Sequence, residues 1–94
     1  MEYTKAMDLK DLEKIHKALA NRRRLAILRH LKRRPGMSVG DMSEAISLSF
    51  KSTSKHIAAL ASAGLVEREQ INLTMHYRIS SQLPPTAKVV VETL

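Results

Sequence analysis

The 94 residues contain no cysteine and no tryptophan, and only one phenylalanine and two tyrosines. The lack of cysteine excludes disulfides and also thiolate zinc and iron–sulfur sites. With so few aromatics, the core must be aliphatic, built from Leu, Ile, Val, Met and Ala. Glycine and proline are scarce, at three each. Together with 44% hydrophobic residues, this excludes low-complexity disorder and points to a globular chain. No apolar run approaches the roughly 20 residues of a membrane span. The first residues, "MEYTKAMDLKDLEK", are charged throughout and show no signal-peptide core. The simplest location is cytoplasmic. Acidic residues are outnumbered, nine against sixteen Lys and Arg, for a net charge of +7. On so small a body this favours a polyanionic partner.

The length suggests one small domain over residues 1–94 with a modest core. A first helix is expected from Thr4 or Asp8 to Leu19, with Leu9, Leu12, Ile15 or His16, and Leu19 near one face. Asp8 is a capping candidate. A second helix follows Asn21, a good N-cap, with Leu25, Ile27, Leu28 and Leu31 as its apolar side. Pro35-Gly36 breaks it near Arg33 or Arg34. Ser38-Val39-Gly40-Asp41 has the form of a capping box with Asp41 in place of Glu. It opens a third helix whose apolar positions are Val39, Met42 and Ile46. Ser47-Leu48-Ser49 interrupts, and Ser49 can cap a fourth helix from Phe50 to about Ala63. Ile57, Leu60 and Ala61 form its expected inward face, with Ser54 one turn earlier. Gly64 ends it.

Beyond Gly64 the period changes to two. Val66, Arg68 and Gln70 alternate with Glu67 and Glu69, and Met75, Tyr77 and Ile79 share one side of a second strand. Ile71–Thr74 forms the hairpin tip. Pro84-Pro85 then breaks the chain. In "TAKVVVETL" three valines favour a strand, while Pro85 suits a helix start. Local sequence does not decide between them. The fold class is therefore mainly α with a small β-hairpin (α+β). Two short helices joined by about three residues and followed by a hairpin make a winged helix-turn-helix.

In such a unit the second helix offers its N-terminal residues to base edges. The fourth helix begins with small or basic residues: Lys51, Ser52, Thr53, Lys55 and His56. Ser52, Thr53 and His56 are expected toward bases, with Lys51 and Lys55 shared between bases and phosphates. Ser38 and Ser49 are expected to cap helices, although amides exposed there can also hold phosphate. Phe50 is expected to pack rather than stack. Arg68, and less so Arg78, are wing candidates for phosphate or minor-groove contact, unless both simply face solvent. Arg22, Arg23 and Arg24 fan out around the second helix, so they cannot all face one ligand. Phosphate contact, or a salt bridge to Glu44 or Glu92, would each explain them. No phosphate-binding glycine loop, nucleophile–base set or close histidine pair exists. Neither an enzyme nor a cofactor is expected. The alternative to DNA reading is a winged helix kept for protein interaction or assembly, presenting the basic helix to an acidic partner.

The ordered set Arg24-Leu25, Ile27-Leu28, Leu31, Ser49, Ser54-Lys55-His56-Ile57, Leu60, Ala63-Gly64-Leu65-Val66 and Tyr77-Arg78-Ile79 resembles the core of ArsR-type winged-helix repressors. The likeness runs from about Leu12 to Ser81. It implies a homodimeric repressor on a palindromic operator, one reading helix per subunit. In that family the first and last helices form much of the dimer interface. Here this maps onto Leu9, Leu12, Ile15 and Leu19 with Val89, Val90 and Leu94, and it tips "TAKVVVETL" toward helix. Many members sense metals through cysteines in the helix before the turn. The matching segment, "SVGDMSEAI", has none. A second family site uses acidic and histidine residues on the last helix, where this chain offers only Glu92. The resemblance therefore implies no metal site.

Overall fold

The computed structural model describes residues 6–94. The expected first-helix start at Thr4 lies outside them. The described elements are α1 (Leu9–Leu19), α2 (Arg22–Arg33), α3 (Val39–Ala45), α4 (Phe50–Ser62), β1 (Val66–Ile71), β2 (Thr74–Ile79) and α5 (Pro85–Glu92). Each of the first four helices is opened by a side chain that accepts backbone N–H groups otherwise left unpaired. Asp8 accepts from Lys10, Asn21 from Arg23 and Arg24, and Ser49 from Ser52. Ser38 and Asp41 form the reciprocal capping box, with Asp41 N–H to Ser38 Oγ at 3.0 Å and Ser38 N–H to Asp41 Oδ2 at 3.1 Å. The amide of Ser38 also holds the Asp41 carboxyl below the usual carboxylate range.

Both helices of the turn end in the same way. After α4, Gly64 takes φ +76°, its N–H bonds Ala61 O, and Leu65 N–H reaches back to Leu60 O. This is a Schellman closure, sealed by burial of both Leu60 and Leu65. After α3, Ser47 occupies the equivalent left-handed position at φ 54°, with Ser47 N–H to Glu44 O and Leu48 N–H to Ser43 O. The Ser47 reversal lies between α3 and α4 and redirects the chain from one to the other; the Gly64 reversal leads from α4 into β1.

Ile27, Leu28 and Leu31 of α2 lie at the centre of the core with Met42, Ile57, Leu60 and Leu65. It is aliphatic throughout. The inward face of α4 is Thr53, Ile57 and Leu60. Ser54 and Ala61, expected inside, are exposed. Ile57 and Leu60 face inward as expected, and Thr53 rather than Ser54 is the buried residue one turn earlier. At about 100° per residue, positions i, i+4 and i+7 share a face, and Thr53 begins that series.

β1 and β2 pair antiparallel, Arg68 opposite Tyr77 and Glu67 opposite Arg78. Asn72 makes the tight reversal in the left-handed region at φ 56°. Met37 bridges Tyr77, tying the hairpin to the start of α3. The tail is helical: Pro85 occupies its first turn, and Lys32 Nζ donates to Val91 O and Glu92 O at its far end. Lys32 thus neutralises the C-terminus of α5 and not only its own helix.

Candidate nucleic-acid interface

The direction of each α4 side chain follows from the phase set by Thr53, Ile57 and Leu60. Lys51 and Lys55, four residues apart, point away from the core, and Ser54 and Ala58 lie beside them, all exposed. Ser52 and His56 lie on the flank toward α2 and are half-buried. Thr53 is fully buried at 0% exposure, so it has no access to a base. The expectation that Thr53 reads DNA is corrected here. Its polarity suggested the surface, but its phase places it under the helix. Phe50 is the converse case. At the first position of α4 it extends past the edge of the core and is 62% exposed, so it does not pack as expected.

Thr53 Oγ1 is enclosed without a hydrogen-bond partner among the described residues. A buried, unpaired hydroxyl costs about 1–3 kcal/mol. Thr53→Val keeps the shape and removes that group. The variant is expected to be more stable by about 1 kcal/mol in urea denaturation, with its sequence preference on DNA unchanged. A loss of preference would return Thr53 to the reading surface.

Arg24 is set between α1, α2 and α4. Its Nε donates to His56 Nδ1 at 3.2 Å, and its Nη1 donates to Lys17 O at 3.2 Å. Of the two readings of the arginine triplet, the ion pair to Glu44 or Glu92 does not form among the described residues. A guanidinium cannot accept a hydrogen bond. Nδ1 of His56 must therefore keep its lone pair, and the neutral ring carries its proton on Nε2. Burial pushes the His56 pKa below its ordinary 6.5, and the charges of Arg24 and Arg23 add to the shift.

The sign of the pH effect follows. As pH falls, the unfolded chain takes up this proton before the folded chain does. Stability contributed by the neutral ring is complete above about pH 6.5 and is lost as pH falls below that value toward the lowered folded pKa. His56→Gln should shrink the stability difference between pH 7.5 and 5.5, measured by denaturant titration of both proteins. Nitrogen-15 spectra near neutral pH should show the Nε2–H tautomer. The opposite tautomer would contradict the Arg24 contact.

His56 lines an open cleft of 610 Å³ with Asn21, Arg22, Arg23, His30 and Ser47 among its walls. The structure thus brings Arg22 and Arg23 together with His56, at the junction of α2 and the turn. Among the described residues no acidic side chain lines this cleft, which suits it to an anion. Ser38 lies elsewhere, at the start of α3, where Asp41 is 3.9 Å from Arg34. Ser38 and Ser49 each accept from an amide (Ser49 Oγ from Ser52 N–H at 3.1 Å), while each hydroxyl retains its own proton. On the wing, Arg68 is exposed. Arg78 instead bonds Glu69 Oε2 at 3.0 Å and approaches Glu67 Oε1 at 3.7 Å. The Ser81 backbone N–H and then Arg78 hold Glu67 below the usual carboxylate range. Arg78 thus pairs with both carboxylates of the wing, and Arg68 stays outside those ion pairs.

The expected dimer residues divide into two groups. Ile15 and Leu19 are buried within this chain's own core, which corrects their assignment to an intersubunit surface. Leu9 at 80% and Val89 at 63% exposure lie open on α1 and α5, two helices that touch. Leu12, Val90 and Leu94 are half-buried. No group of three or more His, Cys, Asp or Glu gathers among the described residues. No described helix is long and apolar enough to cross a membrane.

The comparisons with known proteins agree with this geometry. A family described as a helix-turn-helix domain matches residues 19–69. The transcriptional activator HlyU of Vibrio cholerae serotype O1 is 36% identical over 103 aligned positions, covering 100% of this chain and 92% of that protein. The structure of reduced HlyU from Vibrio cholerae superposes with a TM-score of 0.76 at 35% identity, covering 92% of this chain and 86% of that one. The homodimeric winged helix-turn-helix DNA-binding domain Mb0332 of Mycobacterium bovis, a possible ArsR-family regulator, gives a TM-score of 0.78 at 30% identity, covering 90% and 76%. The chain belongs to the DNA-binding winged helix-turn-helix transcriptional regulators related to the ArsR and HlyU proteins, and it lacks the cysteines of a thiolate metal site.

Proposed function

We propose that this chain is a sequence-specific, homodimeric regulator that binds a two-fold operator in double-stranded DNA, in the cytoplasm, with residues 1–94 acting as one domain. The observation that carries this reading is the outward stripe of Lys51, Ser54 and Lys55 on α4, held by α3 behind it and followed by the wing. Lys51 and Lys55 serve bases and phosphates, and Ser54 replaces Thr53 among the base-edge residues. Ser52 and His56 flank them, and the Nε2–H of His56 acts as a donor. Arg22, Arg23 and Arg68 hold phosphates, and the hydroxyls of Ser38 and Ser49 add donors at two helix starts.

Dimerisation uses the open apolar side chains Leu9 and Val89, supported by Leu12, Val90 and Leu94. A domain this small gains affinity and selectivity by engaging two half-sites. Repression follows where the operator overlaps a promoter, as the ArsR likeness suggests. The Vibrio relative is named an activator, so the sign depends on where the operator lies. With no cysteine in the chain, neither thiol oxidation nor a thiolate-bound metal regulates it.

The test is recovery of bound fragments from the organism's own genomic DNA, together with light scattering of the free and bound protein. A recurring two-fold motif and a mass of two chains per duplex are expected. Enrichment no different from random fragments, or one chain per site, would overturn the reading.

A further inference from the structure

We propose that Phe50 is a specificity-determining residue that reads the 5-methyl group of thymine in the major groove. The inference rests on the α4 docking proposed above and adds an apolar component to it. Ser49 caps the helix, so Phe50 stands at its first position, the end that enters the groove. The ring is 62% exposed, although it is the chain's only phenylalanine and the core is aliphatic. Its neighbours on the exposed side of α4 are Lys51 and, one turn on, Ser54. A cation beside the ring anchors the helix on DNA, so the apolar edge is carried into the groove rather than left in water.

Among the groups on the major-groove floor, the thymine methyl is the apolar one. The others are hydrogen-bond donors and acceptors. An aromatic ring with two rotatable bonds can cover that methyl at little entropic cost. Phe50 therefore supplies discrimination that Lys51, Ser54 and Lys55 cannot, because their polar heads do not distinguish thymine from uracil. The wing tip carries another open apolar residue, Leu73, but no cation adjoins it in the sequence "INLT".

The experiment uses a pool of duplexes with a randomised centre, from which the intact protein selects its preferred sequence. Each thymine of that sequence is then replaced in turn by deoxyuridine, which removes only the methyl. At one thymine per half-site, uracil should weaken wild-type binding on the order of fourfold, the worth of one buried methyl. Phe50→Ala should bind the thymine and uracil duplexes equally, and Phe50→Leu should retain part of the difference. Phe50 is exposed, so both variants should keep the wild-type melting curve. If uracil is tolerated at every position, or Phe50→Ala keeps the full thymine preference while selective binding persists, the role of Phe50 is wrong and the docking stands. If the pool yields no preferred sequence, the docking itself fails and the Phe50 role fails with it.

Discussion

Replacing Lys51 and Lys55 together with alanine should weaken operator binding on the order of 10²–10³-fold near physiological salt. The estimate comes from counterion release. Each lysine held at a phosphate contributes about 0.9 to the slope of log affinity against log salt. Two lysines in each of two subunits make four contacts, so the slope should fall by about 3.6. Both side chains are exposed and lie four residues apart on the outer face of α4, so folding should not suffer. Lys88→Ala, on α5, removes the same charge away from that face and should change affinity less than about threefold. Fluorescence anisotropy at several salt concentrations gives both quantities. An unchanged slope in the double variant would place the stripe off the DNA. Equal losses from Lys88→Ala would mean that only total charge matters.

Leu60→Ala should cost about 2–5 kcal/mol of folding free energy. Leu60 is fully buried, lies one turn beyond Ile57 on the inward face of α4, and gives its carbonyl to Leu65 in the closure of that helix. A small domain has about 5–15 kcal/mol in total, so the loss is a large share of it. The melting midpoint should fall by at least about 10 °C, compared at one protein concentration because dimerisation adds to apparent stability. At temperatures where the variant stays folded, its sequence preference should match wild type, since Leu60 touches no DNA. A shift under about 3 °C would mean that α4 is not anchored where the structure places it.

Much of the fold was legible because capping chemistry is local. Asp8, Asn21, Ser38 with Asp41, and Ser49 mark helix starts within a few residues of the bonds they make. Gly64 marks an end for the same reason. The hairpin followed from alternation on either side of the Ile71–Thr74 tip, which assigned faces to the strand residues, while the pairing register came from the structure. The tail was different. Three valines and a proline carried opposite local signals; the family resemblance tipped the segment toward helix, and the structure shows it as α5 packed on α1 and α2 with Lys32 at its end.

The site was legible in outline but mistaken in phase. Reading α4 by polarity placed Thr53 outside and Phe50 inside. The helix period accounts for Thr53, which joins Ile57 and Leu60 in the buried series. Phe50 is in phase with Ile57 and is exposed because, at the first position of α4, it extends past the edge of the core. Polar residues are usually exposed and large apolar ones usually buried, and α4 departs from both tendencies at its reading end. The contact between Arg24 and His56 was invisible for another reason. It joins residues 32 apart, and nothing local in either segment records it. Ile15 and Leu19 fitted a helix face correctly, but a face alone does not tell which body covers it. Here the chain's own core does.

The central claim is that the Lys51–Ser54–Lys55 face of α4 enters the major groove in two symmetric copies. Dimethyl sulfate interference on the selected duplex tests it most directly, because methylation at guanine N7 blocks the major groove alone. Two clusters of interference should appear, their centres about one helical turn apart or a multiple of it, and Lys51→Ala should relax the cluster in each half-site. Full binding to duplexes methylated at the guanines of both half-sites would contradict the claim, because α4 would then occupy the major groove in neither half-site.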